Sequence, residues 1–492
     1  MLTNLRLHFY CLGFIFSCLF SNIHTASAQS INSAGNNLYF NGNSNFVDTR
    51  DTSWYQQFTV ECWVKSPNAP SNAQGKGPVH YEKNFQINWD HVSSNARNAL
   101  LINTQNGWRA ASFGQLEANT WYHLAGTYDG DTLKTYKNGE LITALIINDG
   151  PPRQEEFSLK IGKHAKLSNP TMEFFNGNVD EVRVWNVVRT ADEIRRFMHH
   201  PLDSVLPTGL KHYYNFNDAD TDSTLNLATG RKVPKILNPE LQVSSIPFGE
   251  GTTEIYSFNA DSITILPALA QGFSRLSIDS TAGSGKLMVT LINETAFGST
   301  SGFGLVPNDK YWILKTFEND SIYKHISCQF SKDFLSTEII DWLNSPAVAL
   351  SYFNRPHTAE SFDQWELNVD FLLDTPLNDF FDFNIPAEKE GQVLLYLIHE
   401  VATAPVEKGK TGVKLLGYKW GNRQLEARFS DPIQSVHLHQ IAGKQIGTNL
   451  IHVPSHQFHI DLTHLQNVLK GIYLLTAITE SGQIKTYKIV KN

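Results

Sequence analysis

Cysteine is scarce in this chain, with four residues in 492. Cys11 and Cys18 fall in an N-terminal apolar run, which leaves Cys62 and Cys328 far apart in the remainder. Two lone thiols make no disulfide framework, so each domain must be held by its apolar core. Cys62 lies in the pattern Phe58-Thr59-Val60-Glu61-Cys62-Trp63-Val64, where a buried apolar thiol is expected. Excess positive charge is also missing. Lys and Arg number 40 against 48 Asp and Glu, for a net charge of -8, and the basic residues are scattered. That excludes the electrostatic footprint of a nucleic-acid-binding protein. After the N-terminal segment no apolar run is long enough to span a bilayer. Long stretches of Leu, Glu, Lys and Ala, the usual material of helices, are rare.

What the chain does contain is aromatic and turn-forming. Hydrophobic residues make up 41% and aromatic residues 12%, and Gly, Asn, Thr, Ser and Tyr are frequent. This composition favours strands joined by turns. The length suits about three domains, each with its own core. The N-terminus reads as a signal peptide, residues 1–28: Arg6, an apolar run over 9–20, then Ala26-Ser27-Ala28, with cleavage before Gln29. Ile15-Phe16-Ser17-Cys18 offers a competing lipid-attachment site at Cys18, against which Phe16 counts. Ordinary cleavage is preferred, and the mature chain is expected to be secreted or held at the cell surface.

Residues 58–64 and 121–128 read as strands, the second with Tyr122, Leu124 and Tyr128 on one face. Asp129-Gly130-Asp131 turns the chain, 133–137 returns, and Asn138-Gly139 signals a type I′ turn. Further strands are expected at 38–40, 99–102, 158–161, 179–185 and 211–216. Only 190–199 reads as helical, with Thr190 as cap, Glu193 at the capping-box position, and Ile194 and Phe197 on the apolar side.

Six motifs then fall in order: Leu38-Tyr39-Phe40-Asn41-Gly42, the 58–64 strand, Thr120-Trp121-Tyr122-His123-Leu124-Ala125, Tyr136-Lys137-Asn138-Gly139, Leu159-Lys160-Ile161-Gly162, and Gly177-Asn178-Val179-Asp180-Glu181-Val182-Arg183-Val184-Trp185. Together they resemble the bacterial LamG-like branch of the laminin-G/pentraxin, concanavalin A-like jelly rolls. Residues 245–404 are similar to a β-sandwich found between binding domains and sorting tails of secreted proteins. Residues 405–492 resemble the type IX secretion C-terminal sorting domain through Asp461-Leu462-Thr463-His464-Leu465, Gly471-Ile472-Tyr473-Leu474-Leu475 and Lys488-Ile489-Val490-Lys491. A generic immunoglobulin-like domain is the alternative for that tail. The expected fold class is therefore all-β: a jelly-roll domain over 29–244, a β-sandwich middle domain, and a small immunoglobulin-like sorting domain.

The resemblance implies a binding module, and the residues are in keeping with that. Jelly-roll glycoside hydrolases carry Glu-x-Asp-x-x-Glu on one strand, and no such run occurs here. Asp180 and Glu181 are adjacent, so strand alternation is expected to aim them at opposite faces. Gly298-Ser299-Thr300-Ser301-Gly302 has Thr where a nucleophile elbow has Ser, and His-Glu-x-x-His and phosphate-loop patterns are absent. No enzyme activity is expected. The pair His199-His200 reads as exposed rather than metal-binding.

Calcium is the ion considered, because loop Asp and Asn supply its oxygens. Asn41 and Asp180 lie on the first and last motifs, which are expected to pair and share a structural site; turn and backbone bonding is the competing reading. Asp218, Asp220 and Asp222 copy the start of a calcium loop, but Ser223 and Thr229 replace its glycine and terminal Glu, which favours a solvated turn. Asp129 and Asp131 flank a turn glycine, and turn chemistry is the favoured reading there. Ligand contact is assigned to Trp89 with Asp90 and to Trp108 with Arg109, near expected loops, where a ring could stack on a sugar. Core packing is the alternative for each Trp. The expected function is an adhesin-like surface protein that recognises a glycan or extracellular protein and reaches the surface through the type IX secretion machinery. Two alternatives stay open: an accessory module of, or cryptic, glycoside hydrolase, and a structural surface-layer protein.

Overall fold

The computed structural model describes residues 34–258, apart from 73–74, 83, 92, 165–173, 203–205, 219, 221 and 238, and beyond 258 mainly the strands. The signal segment, 298–302, the loop 403–412 and 462–465 lie outside the described residues. The strands of the first domain are β1 (Asn36–Asn41), β2 (Phe46–Asp48), β3 (Phe58–Lys65), β4 (Val79–Tyr81), β5 (Phe85–Asn88), β6 (Ala99–Thr104), β7 (Gly107–Ser112) and β8 (Tyr122–Tyr128). They continue with β9 (Thr132–Lys137), β10 (Glu140–Ile146), β11 (Lys160–Ile161), β12 (Asn176–Trp185), helix α1 (Ala191–Phe197), β13 (Leu210–Tyr214), β14 (Ser223–Asn226), β15 (Arg231–Ile236) and β16 (Glu240–Val243).

Two antiparallel sheets result. Sheet A runs β10-β9-β8-β3-β12-β1-β16, with β13 on β12, and sheet B runs β14-β15-β2-β11-β4-β5-β6-β7. Alternation dictates the layer between them. Phe58, Val60, Cys62 and Val64 of β3 meet Tyr122, Leu124 and Tyr128 of β8 and Phe85, Ile87, Leu100 and Ile102 of sheet B in one buried cluster. The sheets approach closely at Gly126, where a Cβ would meet the Leu100 side chain at 2.5 Å. Asn138 and Gly139 both have positive φ, 52° and 78°, as a type I′ turn requires. In α1 the Thr190 side chain accepts from the Glu193 N–H and the Glu193 carboxylate accepts from the Thr190 N–H, completing the capping box.

The outer face of sheet A is covered as well, which is why β3 is buried on both sides. Trp63 and Trp121 pack with Ile246 and Phe248 from the chain that follows β16. Beneath that cover the alternation of β12 breaks. Glu181 has φ +50°, and the pairing with β3 slips between Asp180 and Arg183. This bulge overturns the expected opposition of the two carboxylates. Asp180 accepts from the Ser244 hydroxyl at 2.6 Å, while Glu181 accepts from Arg183 and from the Tyr213 hydroxyl, so both engage groups on the covered side. His199 and His200 are buried rather than exposed, because their Nδ1 atoms bond the Pro247 and Gly249 carbonyls at 2.6 and 2.8 Å. Burial holds the His199 imidazole down at about 3.

The rest of the described chain is also antiparallel β. Strand β17 (Gly251–Phe258) begins a six-stranded sheet with Gly285–Ile292, Tyr311–Phe317, Gly391–His399, Val348–Arg355 and Glu366–Asn368. A four-stranded and a five-stranded sheet follow. Helix α1 meets the six-stranded sheet through Arg195 with Glu318 at 2.6 Å and Asp192 with Lys286 at 2.7 Å. Among the described residues no helix is long and apolar enough to cross a membrane.

Candidate functional site

The antiparallel order of sheet A brings the start of β3 beside the ends of β8 and β12. Four connections therefore gather at one end of the sandwich. They enclose a cleft of about 570 Å³ lined by Trp54, Tyr55, Gln56, Gln57, Asp129, Gly130, Pro151 and Asn186. That is within the usual range for a ligand pocket, about 300–1,000 Å³.

Each wall is fixed from behind. Trp54 donates its indole N–H to the Pro152 carbonyl at 2.9 Å. Tyr55 is buried, its hydroxyl lies 3.3 Å from His212 Nε2, and its carbonyl accepts from the Asn84 amide at 3.1 Å. With those two residues anchored, Gln56 and Gln57 are left exposed at the cleft. Behind Tyr55, Asp51 meets His212 at 2.9 Å, and this hydrogen bond holds the Asp51 carboxyl well below the usual range. Asp129 Oδ1 accepts from the N–H groups of Asp131 and Thr132, at 2.9 and 2.6 Å, which confirms the turn role of that carboxylate.

The last wall is a strap, residues 147–153. The N–H groups of Ile147 and Asn148 bond the Asp131 carbonyl at one end, and the Arg153 N–H bonds the Asn103 carbonyl at 2.7 Å at the other. In between, the Tyr128 hydroxyl lies 2.7 Å from the Gly130 carbonyl and 2.6 Å from that of Gly150, and burial pushes this phenol up to about 12. Asp149 receives the Asn106 amide, the Thr104 hydroxyl and the Arg109 Nε, each at 2.8 Å. These donors, Asn106 foremost, hold its carboxyl below the usual range.

The residues singled out from sequence have varied places. Trp89 is 1% exposed, in the core against Tyr122 and Phe175, with its indole N–H on the Asn68 carbonyl. It therefore offers no ring to a ligand. Asp90 accepts from the N–H and hydroxyl of Ser71, so it organises its own loop. Trp108 is 45% exposed on the edge strand β7. Its neighbour Arg109 points the other way by strand alternation, reaching Asp149, so the two do not act as one contact.

The candidate calcium residues do not assemble. β1 does pair with β12, but Asn41 lies opposite Asn176, about 13 Å along the strand from Asp180. Asn41 closes a turn onto Asn43 and Ser44. Asp180 is fully buried and accepts from the Ser244 hydroxyl and the Glu181 N–H; burial, then the nearby Glu181 charge, pushes its carboxyl well above the usual range. Lys235 Nζ sits 3.2 Å from Asp218 and 2.7 Å from the Asp220 carbonyl, with Lys232 at 2.8 Å from the Asp220 carboxylate. Two ammonium groups thus occupy the place a divalent ion would need. Asp222 contributes its N–H to the Asp220 carboxylate. Among the described residues no group of three or more His, Cys, Asp or Glu is arranged to hold a metal ion.

Trp54, Gln56, Gln57 and Asn186 were not singled out by sequence reasoning. The one local signal was an aromatic pair followed by two amides directly ahead of the β3 strand pattern.

The geometry and the sequence match agree on the class of the domain. Residues 41–195 match the Laminin_G_3 family, described as the concanavalin A-like lectin/glucanases superfamily, and the segment is a domain of that kind. Mouse pappalysin-1 is 28% identical over 153 residues, which are 29% of this chain and 8% of pappalysin-1. Among solved structures, a putative carbohydrate-binding protein from Bacteroides ovatus is 20% identical, with a TM-score of 0.36, over 44% of this chain and 61% of that one. The SAP-like pentraxin of Limulus polyphemus is 13% identical, with a TM-score of 0.26, over 44% of this chain and 97% of its own. The chain thus spans less than a tenth of the curated relative's length.

Proposed function

We propose that this chain is an exported, non-catalytic surface protein whose first domain recognises a glycan in the loop-end cleft. The observation that carries this is the lining. Trp54 offers aromatic surface over the buried Tyr55, while Gln56, Gln57, Asn186 and Asp129 offer neutral donors, acceptors and one carboxylate. A sugar needs that combination, since its C–H faces stack on rings and its hydroxyls hydrogen-bond amides and carboxylates. A nucleotide or other polyanion would call for cations, and none is among the described residues that line this cleft. Recognition is proposed to be independent of metal, because the acidic candidates are engaged by lysines, hydroxyls and backbone N–H groups. The tail resemblance supports type IX export and surface attachment.

The test is a glycan array carrying gluco-, xylo-, arabino-, N-acetylglucosamine and uronic acid oligosaccharides, each at one to six residues, probed with the full mature chain. Binding to a subset is expected, with Trp54→Ala and Gln57→Ala each lowering the signal at every length. Absence of binding across the array, or binding that ignores both substitutions, sinks the cleft as the site.

A further inference from the structure

We propose that the ligand is an extended oligosaccharide that leaves the cleft along residues 151–153 and reaches a second subsite made by Arg153, Asn103 and Trp108. This rests on the cleft reading above and names its ligand more closely.

Register places the three residues in a row. Trp108 of β7 lies directly opposite Asn103 of β6. On the other side of β6, Thr104 bridges Pro152, and the Arg153 N–H donates to the Asn103 carbonyl at 2.7 Å. Directly opposed residues share a face of a sheet. Ile102, the neighbour of Asn103, is in the core, so the row of Arg153, Asn103 and Trp108 lies on the outer face of sheet B.

The chemistry of the row is incomplete as it stands. Trp108 presents an open aromatic surface, 45% exposed. Asn103 is 5% exposed, yet its Oδ1 has no hydrogen-bond partner among the described residues. Arg153 donates from Nη2 to the Gln105 carbonyl at 3.1 Å, while its Nε is buried without a partner there. An unmatched acceptor and an unmatched donor thus lie in line with one exposed ring at the end of the row. A pyranose can satisfy all three, with its C–H face on the indole, a hydroxyl donating to Asn103 and an oxygen accepting from Arg153. The path from the cleft is short. Pro151 lines the cleft, and two residues of chain to Arg153 span at most about 7 Å.

The same length-graded array tests this. For the unmodified chain, signal is expected to rise with chain length within a bound sugar series. Trp108→Ala should remove that rise, about tenfold at the longest lengths, and leave one-residue sugars unchanged. Arg153→Gln should flatten it in the same way, and Trp54→Ala should weaken every length. Trp108 is a surface side chain, so an unchanged melting temperature establishes that the variant is folded. Equal binding of short and long sugars by the unmodified chain overturns the second subsite while leaving the cleft standing. So does a Trp108→Ala variant that keeps the full length dependence. If no sugar binds at all, the cleft reading fails and this inference fails with it.

Discussion

The covered face of sheet A and the loop end of the sandwich both concentrate polar side chains, under opposite conditions. On the covered face, Glu61, Asp180, Glu181, Arg183, His199 and His200 are nearly all shut away from water. At the loop end, Gln56, Gln57 and Asp129 are exposed, and fewer ionisable groups are present. Richness in charge therefore does not mark the proposed binding site. The charged groups serve to seat residues 244–249 on the sheet, while the proposed site is built from amides and the Trp54 ring beside a hydrogen-bonded strap.

Removing a central charge should separate the two regions most. Arg183 is buried, donates to Glu181 at 2.7 Å and to the Phe197 and His200 carbonyls at 2.8 Å, and lies 3.9 Å from Glu61. Arg183→Met should cost about 3–5 kcal/mol, because two buried carboxylates lose their cation. Urea unfolding reads this, and an unchanged midpoint would remove the network from the list of stabilising features. Trp54→Ala should do the reverse. It should lower glycan affinity about tenfold, by titration, while the folded state loses little.

Acidity should split the regions by sign. Asp51, held low by its hydrogen bond from His212, adds stability above an unfolded value of about 3.9, and that stability is lost as pH falls through the folded value. Asp180 is raised by burial, so its contribution is complete below about 3.9 and is lost as pH rises through the folded value. In curves of melting temperature against pH, Asp51→Asn should flatten the acid limb and Asp180→Asn the limb above about pH 4. An Asp180→Asn variant with an unaltered upper limb contradicts this assignment. The smallest effect is expected from chelation. EDTA should leave both binding and melting temperature unchanged, and a loss of either would restore a role for calcium.

Much of the first domain was legible in the sequence because its determinants are local. Alternation in β3 and β8, the Asn138-Gly139 turn and the Thr190–Glu193 capping box each lie within a few residues. The failures have non-local causes. Glu181 follows alternation until a bulge intervenes, and that bulge is visible only in the pairing with β3. Trp89 sits near a loop by pattern, but its ring meets Tyr122 and Phe175 from distant strands. Lys235, which occupies the apparent calcium loop, arrives on the neighbouring strand β15. The cleft was the least legible part, since residues 54–57, 129–130, 151 and 186 meet only after the sheet has formed.

The strap has a kinetic consequence. Bonded to Asp131 at one end and Asn103 at the other, with Asp149 tied to three donors between them, it has little freedom left to lose when a ligand arrives. A wall ordered in advance spares the ligand the entropy of ordering it. Sugars that fit should therefore differ in how long they stay more than in how fast they arrive.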